Sequence, residues 1–170
     1  MSLPKEPSKS KLIISFISGD IELINSSINR ISERISSPDY VSELQEFDHT
    51  EYYEDELGSG LKRRFAAFSV LLKRDDLVSV KEFTNSLENE TVKDGKRRIN
   101  IDPGFLSIEN FILATGKNFS HRVYLNRGIF ADLTLIFKKD KFCELDWTYP
   151  DYREDKVKDM LKKIRKATFF

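Results

Sequence analysis

Runs of apolar and polar residues change period several times along the chain, and each change marks an element. Residues 11–17 (Lys-Leu-Ile-Ile-Ser-Phe-Ile) form a short apolar, β-rich run that predicts a buried strand. Gly19-Asp20 interrupts it, and Asp20 is suited to cap a following helix. That helix carries Ile21, Ile24, Ile28, Ile31 and Ile35 three and four residues apart, which makes one apolar stripe. Ser36-Ser37-Pro38 ends it. Residues 40–47 predict a weaker strand near a sheet edge, and residues 48–57 a short acidic helix leaving through Gly58-Ser59-Gly60. Residues 65–72 are apolar on both faces, as a central strand requires. A helix opening at Asp75 or Asp76 then points Leu77, Val80, Phe83, Thr84 and Leu87 inward, and Lys93-Asp94-Gly95 is turn chemistry.

The second half alternates with a period of two. Over residues 96–102, Arg97, Ile99 and Ile101 face one way and Arg98, Asn100 and Asp102 the other, with Pro103-Gly104 expected to stop the strand. Ser107 is expected to cap a short helix through Ala114, with Gly116 as its left-handed exit. Strands over 119–125 and 129–137 flank Asn126-Arg127-Gly128, a hairpin loop of three residues with Gly128 left-handed. This register pairs Leu125 with Ile129, Tyr124 with Phe130, Val123 with Ala131 and Arg122 with Asp132. It expects Val123, Leu125, Ala131, Leu133 and Leu135 to be buried, Arg122, Tyr124, Asp132 and Thr134 on the other face, and His121 on the core side. A strand at 142–145, an aromatic link at 147–150 and a final helix with Val157, Met160, Leu161 and Ile164 on one face complete the chain.

The order of elements reads as an α+β fold: a ferredoxin-like core of split βαβ units, extended by a C-terminal β-hairpin or meander and a closing helix. An open mixed α/β sheet is the alternative. Residues 1–10 are expected to form a disordered tail and residues 11–170 a single domain, since 170 residues suffice for one sizeable core.

Composition narrows the function classes. Lys and Arg number 28, and so do Asp and Glu, for a formal charge of zero. Nucleic-acid binding is therefore disfavoured, because phosphate neutralisation normally needs a basic excess. The single cysteine, Cys143, reads as packing in a short strand and cannot close an intramolecular disulfide. No apolar run reaches the roughly 18 residues a membrane span needs, and residues 1–10 lack a signal-peptide core, so the expected location is the cytoplasm. A homo-oligomer is compatible with the sequence.

Candidate chemistry rests on a few polar groups. Lys62-Arg63-Arg64 and Lys96-Arg97-Arg98 both precede apolar strands separated by a helix. If those strands are parallel, both triplets sit at one end of the sheet and offer Arg63, Arg64 and Arg98 to an anion through bidentate contacts. The plainer reading pairs them with nearby acids such as Glu54, Asp55 and Glu56. Arg98, Asn100 and Asp102 make a polar strand face fit for a ligand, although an antiparallel sheet with one wet side explains it equally. His121 is a candidate general acid or base. A Ser-His-Asp hydrolase is excluded, because Ser120 and His121 point to opposite faces and no Gly-x-Ser-x-Gly elbow exists. Asp48-His49-Thr50-Glu51 holds metal-ligand types without a second His or Cys at ligand spacing, so helix capping explains it better and no metal site is assigned. Neither phosphate-binding glycine loop occurs, which excludes a P-loop nucleotidase, and no motif identifies a cofactor.

Three segments, Asp94-Gly-Lys-Arg-Arg-Ile-Asn-Ile-Asp-Pro-Gly-Phe-Leu106, Asn118-Phe-Ser-His-Arg-Val-Tyr-Leu125 and Trp147-Thr-Tyr-Pro-Asp-Tyr152, resemble an uncharacterised bacterial family, domain of unknown function 4416. Residues 48–53 and Leu61-Lys-Arg-Arg-Phe65 are similar to it as well, so the resemblance covers about residues 10–168. Members are sometimes labelled GTP-binding, but no guanine-nucleotide motif is present here, and the family brings no catalytic residues to carry over. The leading functional expectation is a protein, possessing or lacking enzymatic activity, that binds a small anionic or phosphorylated ligand. Arg98, Asn100, Arg122 and Arg63 or Arg64 would hold the anion, Asp102 would position a hydroxyl or metal, and His121 would exchange a proton. The alternative is a non-enzymatic interaction or structural module. Convergence of these groups on a concave site would favour the first, and an exposed apolar patch the second.

Overall fold

The computed structural model describes residues 1–48 and 53–170; the expectations for His49, Thr50 and Glu51 lie outside the described residues. Nine strands among the described residues form one antiparallel-paired sheet in the order β2-β4-β1-β5-β6-β8-β7, with β3 also on β4 and β9 also on β8. Its elements are β1 (Ser10–Ser18), α1 (Ile21–Arg34), β2 (Pro38–Val41), β3 (Gln45–Glu46), α2 (Glu54–Leu57) and β4 (Lys62–Leu72). They continue with α3 (Leu77–Glu90), β5 (Asn100–Leu106), β6 (Asn110–Thr115), β7 (Arg122–Asn126), β8 (Ile129–Lys138), β9 (Lys141–Glu144) and α4 (Asp155–Phe169).

The sheet separates two cores. Ile14 and Phe16 of β1 with Ala66 and Phe68 of β4 meet α1 and α3 on one face. Ile13, Phe65, Leu106 and Phe111 meet Val157, Leu161 and Ile164 of α4 on the other. Helix α1 follows from local rules: Asp20 accepts from Leu23 N at 3.1 Å as its N-cap, and Ile24, Ile28 and Ile31 are buried. Ile21 at the start of the stripe is exposed.

The α+β class expected from the sequence holds. β4, α3 and β5 form a split βαβ unit, because both strands pair antiparallel with β1 lying between them and are therefore parallel to each other. β1, α1 and β2 form a second such unit, because both strands pair antiparallel with β4 lying between them.

Several local expectations are corrected. Pro103-Gly104 does not stop β5, which runs to Leu106. Ile101 turns its backbone groups toward the β6 side, where α3 meets them, and Pro103 points the same way two residues on. Pairing with β6 begins only at Gly104, so the missing proline N–H costs no ladder bond. Gly104 is required by packing: a Cβ there would lie 2.6 Å from the Phe111 ring. Next, the helix expected from Ser107 to Ala114 is strand β6, entered by a tight turn in which Ser107 N donates to Asn110 O at 2.9 Å. Phe111 and Leu113 are buried by neighbouring strands, which overrides the short-range preference.

The β7–β8 hairpin keeps the Arg122–Asp132, Val123–Ala131 and Tyr124–Phe130 pairs, but Asn126 rather than Leu125 faces Ile129. The loop is thus the two residues Arg127 and Gly128, both with positive φ (49° and 77°), as a type I′ turn requires. The faces also differ from expectation. Val123 is 66 % exposed and Leu125 39 %, whereas Asp132 and Thr134 are buried at 2 % and 0 %. β7 is an edge strand at this end of the sheet, so alternation alone does not bury its apolar side chains. The expected strand over residues 40–47 is two short pieces, β2 and β3, both along β4.

Replacing Ile28 with Ala should remove about 2–5 kcal/mol through lost transfer energy and a residual cavity. A denaturant midpoint that stays in place would show that α1 does not rest on the sheet through this stripe.

Candidate functional site

Helix α4 covers only part of its sheet face. Beyond it, polar groups from five strands share the surface with the link between β9 and α4. In register, Arg63 and Asn100 flank Ile17, and Phe65 and Asp102 flank Ser15, so Arg63, Asn100 and Asp102 project from the α4 face. Asp132 lies opposite Leu113, whose side chain packs in the α4 core, and Arg122 lies opposite Asp132.

Each group has a specific partner. Arg63, 3 % exposed, donates from Nε to Ser15 Oγ at 3.0 Å and pairs through Nη1 with Asp151 at 2.8 Å. Its guanidinium lies over Phe65 at 4.2 Å and Tyr152 at 4.8 Å, while Nη2 is buried with no hydrogen-bond partner among the described residues. Asn100 Nδ2 donates to Asp102 Oδ2 at 2.6 Å, and Lys81 Nζ lies 3.3 Å from Asp102 Oδ1. The Asp102 side chain is still 31 % exposed. Two tyrosines lie within electrostatic reach of it. Burial, then the charges of Asp102 and Asp151, push the Tyr53 hydroxyl above its ordinary range. Burial also raises Tyr149, opposed by Arg122 and reinforced by Asp132, Asp102 and Asp151. Tyr149 thus lies within electrostatic reach of all four charged groups.

The best organised chemistry surrounds Asp132. Its Oδ2 accepts from Arg122 Nε at 2.8 Å and contacts His121 Nε2 at 3.1 Å, and Thr134 Oγ1 lies 3.4 Å from Oδ1. An ionised carboxylate only accepts, so His121 Nε2 carries the proton and Nδ1 is left as the ring's acceptor. The imidazole stacks on Trp147 at 4.9 Å with 12° between planes, and Phe119 meets it edge-on at 5.6 Å. Arg122 also donates to Lys117 O at 3.0 Å and to the Tyr149 hydroxyl at 2.5 Å.

The irregular link holds these rings in place through the sheet. Trp147 Nε1 donates to Leu133 O at 2.8 Å, Thr148 Oγ1 to Thr134 O at 2.6 Å, and Arg153 Nε to Thr148 O at 2.8 Å. Clefts of about 800 Å³ beside β2 and about 440 Å³ beside β9 both lie against α4 and contain none of these groups. No group of three or more His, Cys, Asp or Glu among the described residues is arranged to hold a metal.

Of the residues singled out in the sequence, Arg63, Asn100, Asp102, His121 and Arg122 share this face. Arg64 and Arg98 do not join them. Arg64 points to the opposite face and donates to Asn25 Oδ1 of α1 at 2.8 Å, and Arg98 pairs with Asp20 at 2.7 Å. The two basic triplets do lie at one end of the parallel pair β4 and β5, yet alternation and local acids disperse them. Lys62 pairs with Glu46, and Arg97 with Glu56 and Glu88. Sequence reasoning missed Tyr53, Lys81, Tyr149 and Asp151. Tyr149 and Asp151 carried a signal, since both fall in the Trp147–Tyr152 segment.

A family model, Domain of unknown function (DUF4416), matches residues 8–167. The chain belongs to this family. Neither a curated protein nor a solved structure matches the chain. The matched span contains every residue of this face named above. No helix among the described residues is long and apolar enough to cross a membrane.

Removing Asp132 would leave His121 and Arg122 without their common acceptor in a site where both side chains are only 10 % exposed. Asp132→Ala should cost about 3–5 kcal/mol, as expected when one partner of a buried pair is lost. Asp140→Ala, which breaks the exposed pair with Lys162, should leave the midpoint unchanged. Equal shifts for the two variants in urea denaturation would contradict the buried role of Asp132.

Proposed function

We propose that this protein binds a small anionic ligand, such as a phosphorylated compound, on the polar end of the α4 face, with His121 as the proton-exchanging group. The observation that carries this reading is one carboxylate, Asp132, shared by the Arg122 guanidinium and the His121 imidazole. When His121 is protonated the three groups hold one net positive charge. The guanidinium also keeps two N–H donors beyond its three bonds. Asp102, paired with Lys81 and still 31 % exposed, would accept from a hydroxyl of the same ligand. Arg63 acts from below by fixing Asp151, and its burial removes it from direct contact.

Inorganic phosphate or ribose 5-phosphate should raise the melting temperature, because a ligand that binds only the folded state stabilises it. The shift should grow as the pH is lowered from about 8 to about 6, the range in which histidines gain charge. Arg122→Gln should abolish it, and Arg98→Gln should leave it intact. An anion screen that produces no shift in the unmodified protein would overturn the reading.

A second reading, a non-enzymatic interaction module, is favoured by one observation: β7 is an unpaired sheet edge with Val123 and Tyr124 exposed at 66 % and 58 %. In that case Val123→Lys would abolish association without altering anion-dependent melting.

A further inference from the structure

Three aromatic rings crowd the rim of the His121–Arg122 pair without being buried. Phe119 is 64 % exposed, Tyr149 41 % and Trp147 39 %. Large rings left partly in water forgo part of the stabilisation that full burial would bring them. Two of them are also not loosely held. Trp147 is fixed by its N–H bond to Leu133 and by the His121 ring against it, and Tyr149 by its hydroxyl on Arg122. Their exposed surface is therefore presented in a set orientation, beside the group assigned above to the anion.

We infer that the ligand of this site is an aromatic anion, whose planar ring lies against Trp147 and Phe119 while its charged group meets Arg122 and His121. The inference rests on the anion-binding reading and adds the chemical class of the rest of the ligand. Offset or edge-to-face contact between rings adds to simple area burial, which an aliphatic or polyol body of the same size cannot match. An anion placed on Arg122 brings its substituent over these rings, because Phe119 and Trp147 both contact the His121 imidazole and His121 and Arg122 share Asp132.

Trp147 is the single tryptophan of the chain, so its fluorescence reports on this site alone. Phenyl phosphate, inorganic phosphate and phenol can be titrated against the full chain, with affinities checked by calorimetry. Phenyl phosphate should change the emission and bind about tenfold or more tightly than inorganic phosphate, a difference of about 1.4 kcal/mol. Trp147→Leu should remove that preference while leaving inorganic phosphate bound. Phe119→Ala, at a position exposed enough to spare the fold, should weaken it several-fold. Equal affinity for the two phosphates would overturn the ring inference and leave the anion reading standing. Binding of phenol with neither phosphate bound would overturn the anion reading and the aromatic-anion class with it. Absence of binding by all three would overturn both.

Discussion

Arg63, Asn100 and Asp102 on the α4 face take their positions from β1, a nine-residue strand with no exposed residue. A strand buried on both faces and paired on both edges has no freedom to slip, since a one-residue shift would exchange the two cores. β4 and β5 therefore run parallel on either side of it in fixed register, and Arg63 and Asn100 stand level across Ile17. Ser15, the polar interruption in an otherwise apolar run, is not a flaw in that strand. It accepts the Arg63 Nε–H at 3.0 Å and so supports a guanidinium that would otherwise be buried with fewer partners.

The second constraint is the gap between β5 and β6. Their pairing covers only Gly104 to Leu106, which leaves the start of β5 without a strand partner on that side. Buried backbone groups must be satisfied, and α3 does so with charged side chains. Glu88 accepts from Ile101 N at 2.6 Å, and Lys81 Nζ lies 3.3 Å from Ile101 O. Glu88 is itself buried, which raises its carboxyl above the ordinary range, against the attraction of Lys81 and the hydrogen bond from Ile101. Arg97 then joins Glu88 to Glu56 of α2 and donates to Asn100 Oδ1 at 3.2 Å. Such buried charges add little net stability by themselves, but losing any one of them would leave another uncompensated. What they achieve here is placement: the same lysine that reaches Ile101 O also holds Asp102, and the same asparagine links Arg97 to Asp102.

Features determined within a few residues were legible in the sequence. The isoleucine stripe of α1, its Asp20 cap, and the Arg122–Asp132 pair all depend on helical spacing or on a tight turn, and all three stand. Features determined by distant partners were not. Residues 107–114 read as a helix because a serine cap precedes apolar residues, but β5 and β8 on either side make them a strand. Val123 looked buried because alternation says nothing about whether a strand is an edge. Asp132 looked exposed because its compensating partners, Thr134 apart, come from β7 and the segment before it. The candidate site was half-legible for the same reason: Asn100, Asp102, His121 and Arg122 announced themselves as polar strand residues, whereas Lys81 acquires meaning only through the fold.

Charge matching explains why the arginine-rich segments do not form one broad anion cradle. Arg63, Arg97 and Arg98 each meet a carboxylate, and Arg64 meets a carboxamide across the sheet. A guanidinium already paired in a buried site offers an incoming anion little, because the anion must displace or repel the carboxylate in place. The exception is the cluster built on Asp132, where one carboxylate serves both the Arg122 guanidinium and the His121 imidazole. That cluster lies beside the rings of Trp147 and Phe119. The arrangement of charge on this face therefore depends less on total charge, which is zero for the chain, than on where one carboxylate is shared.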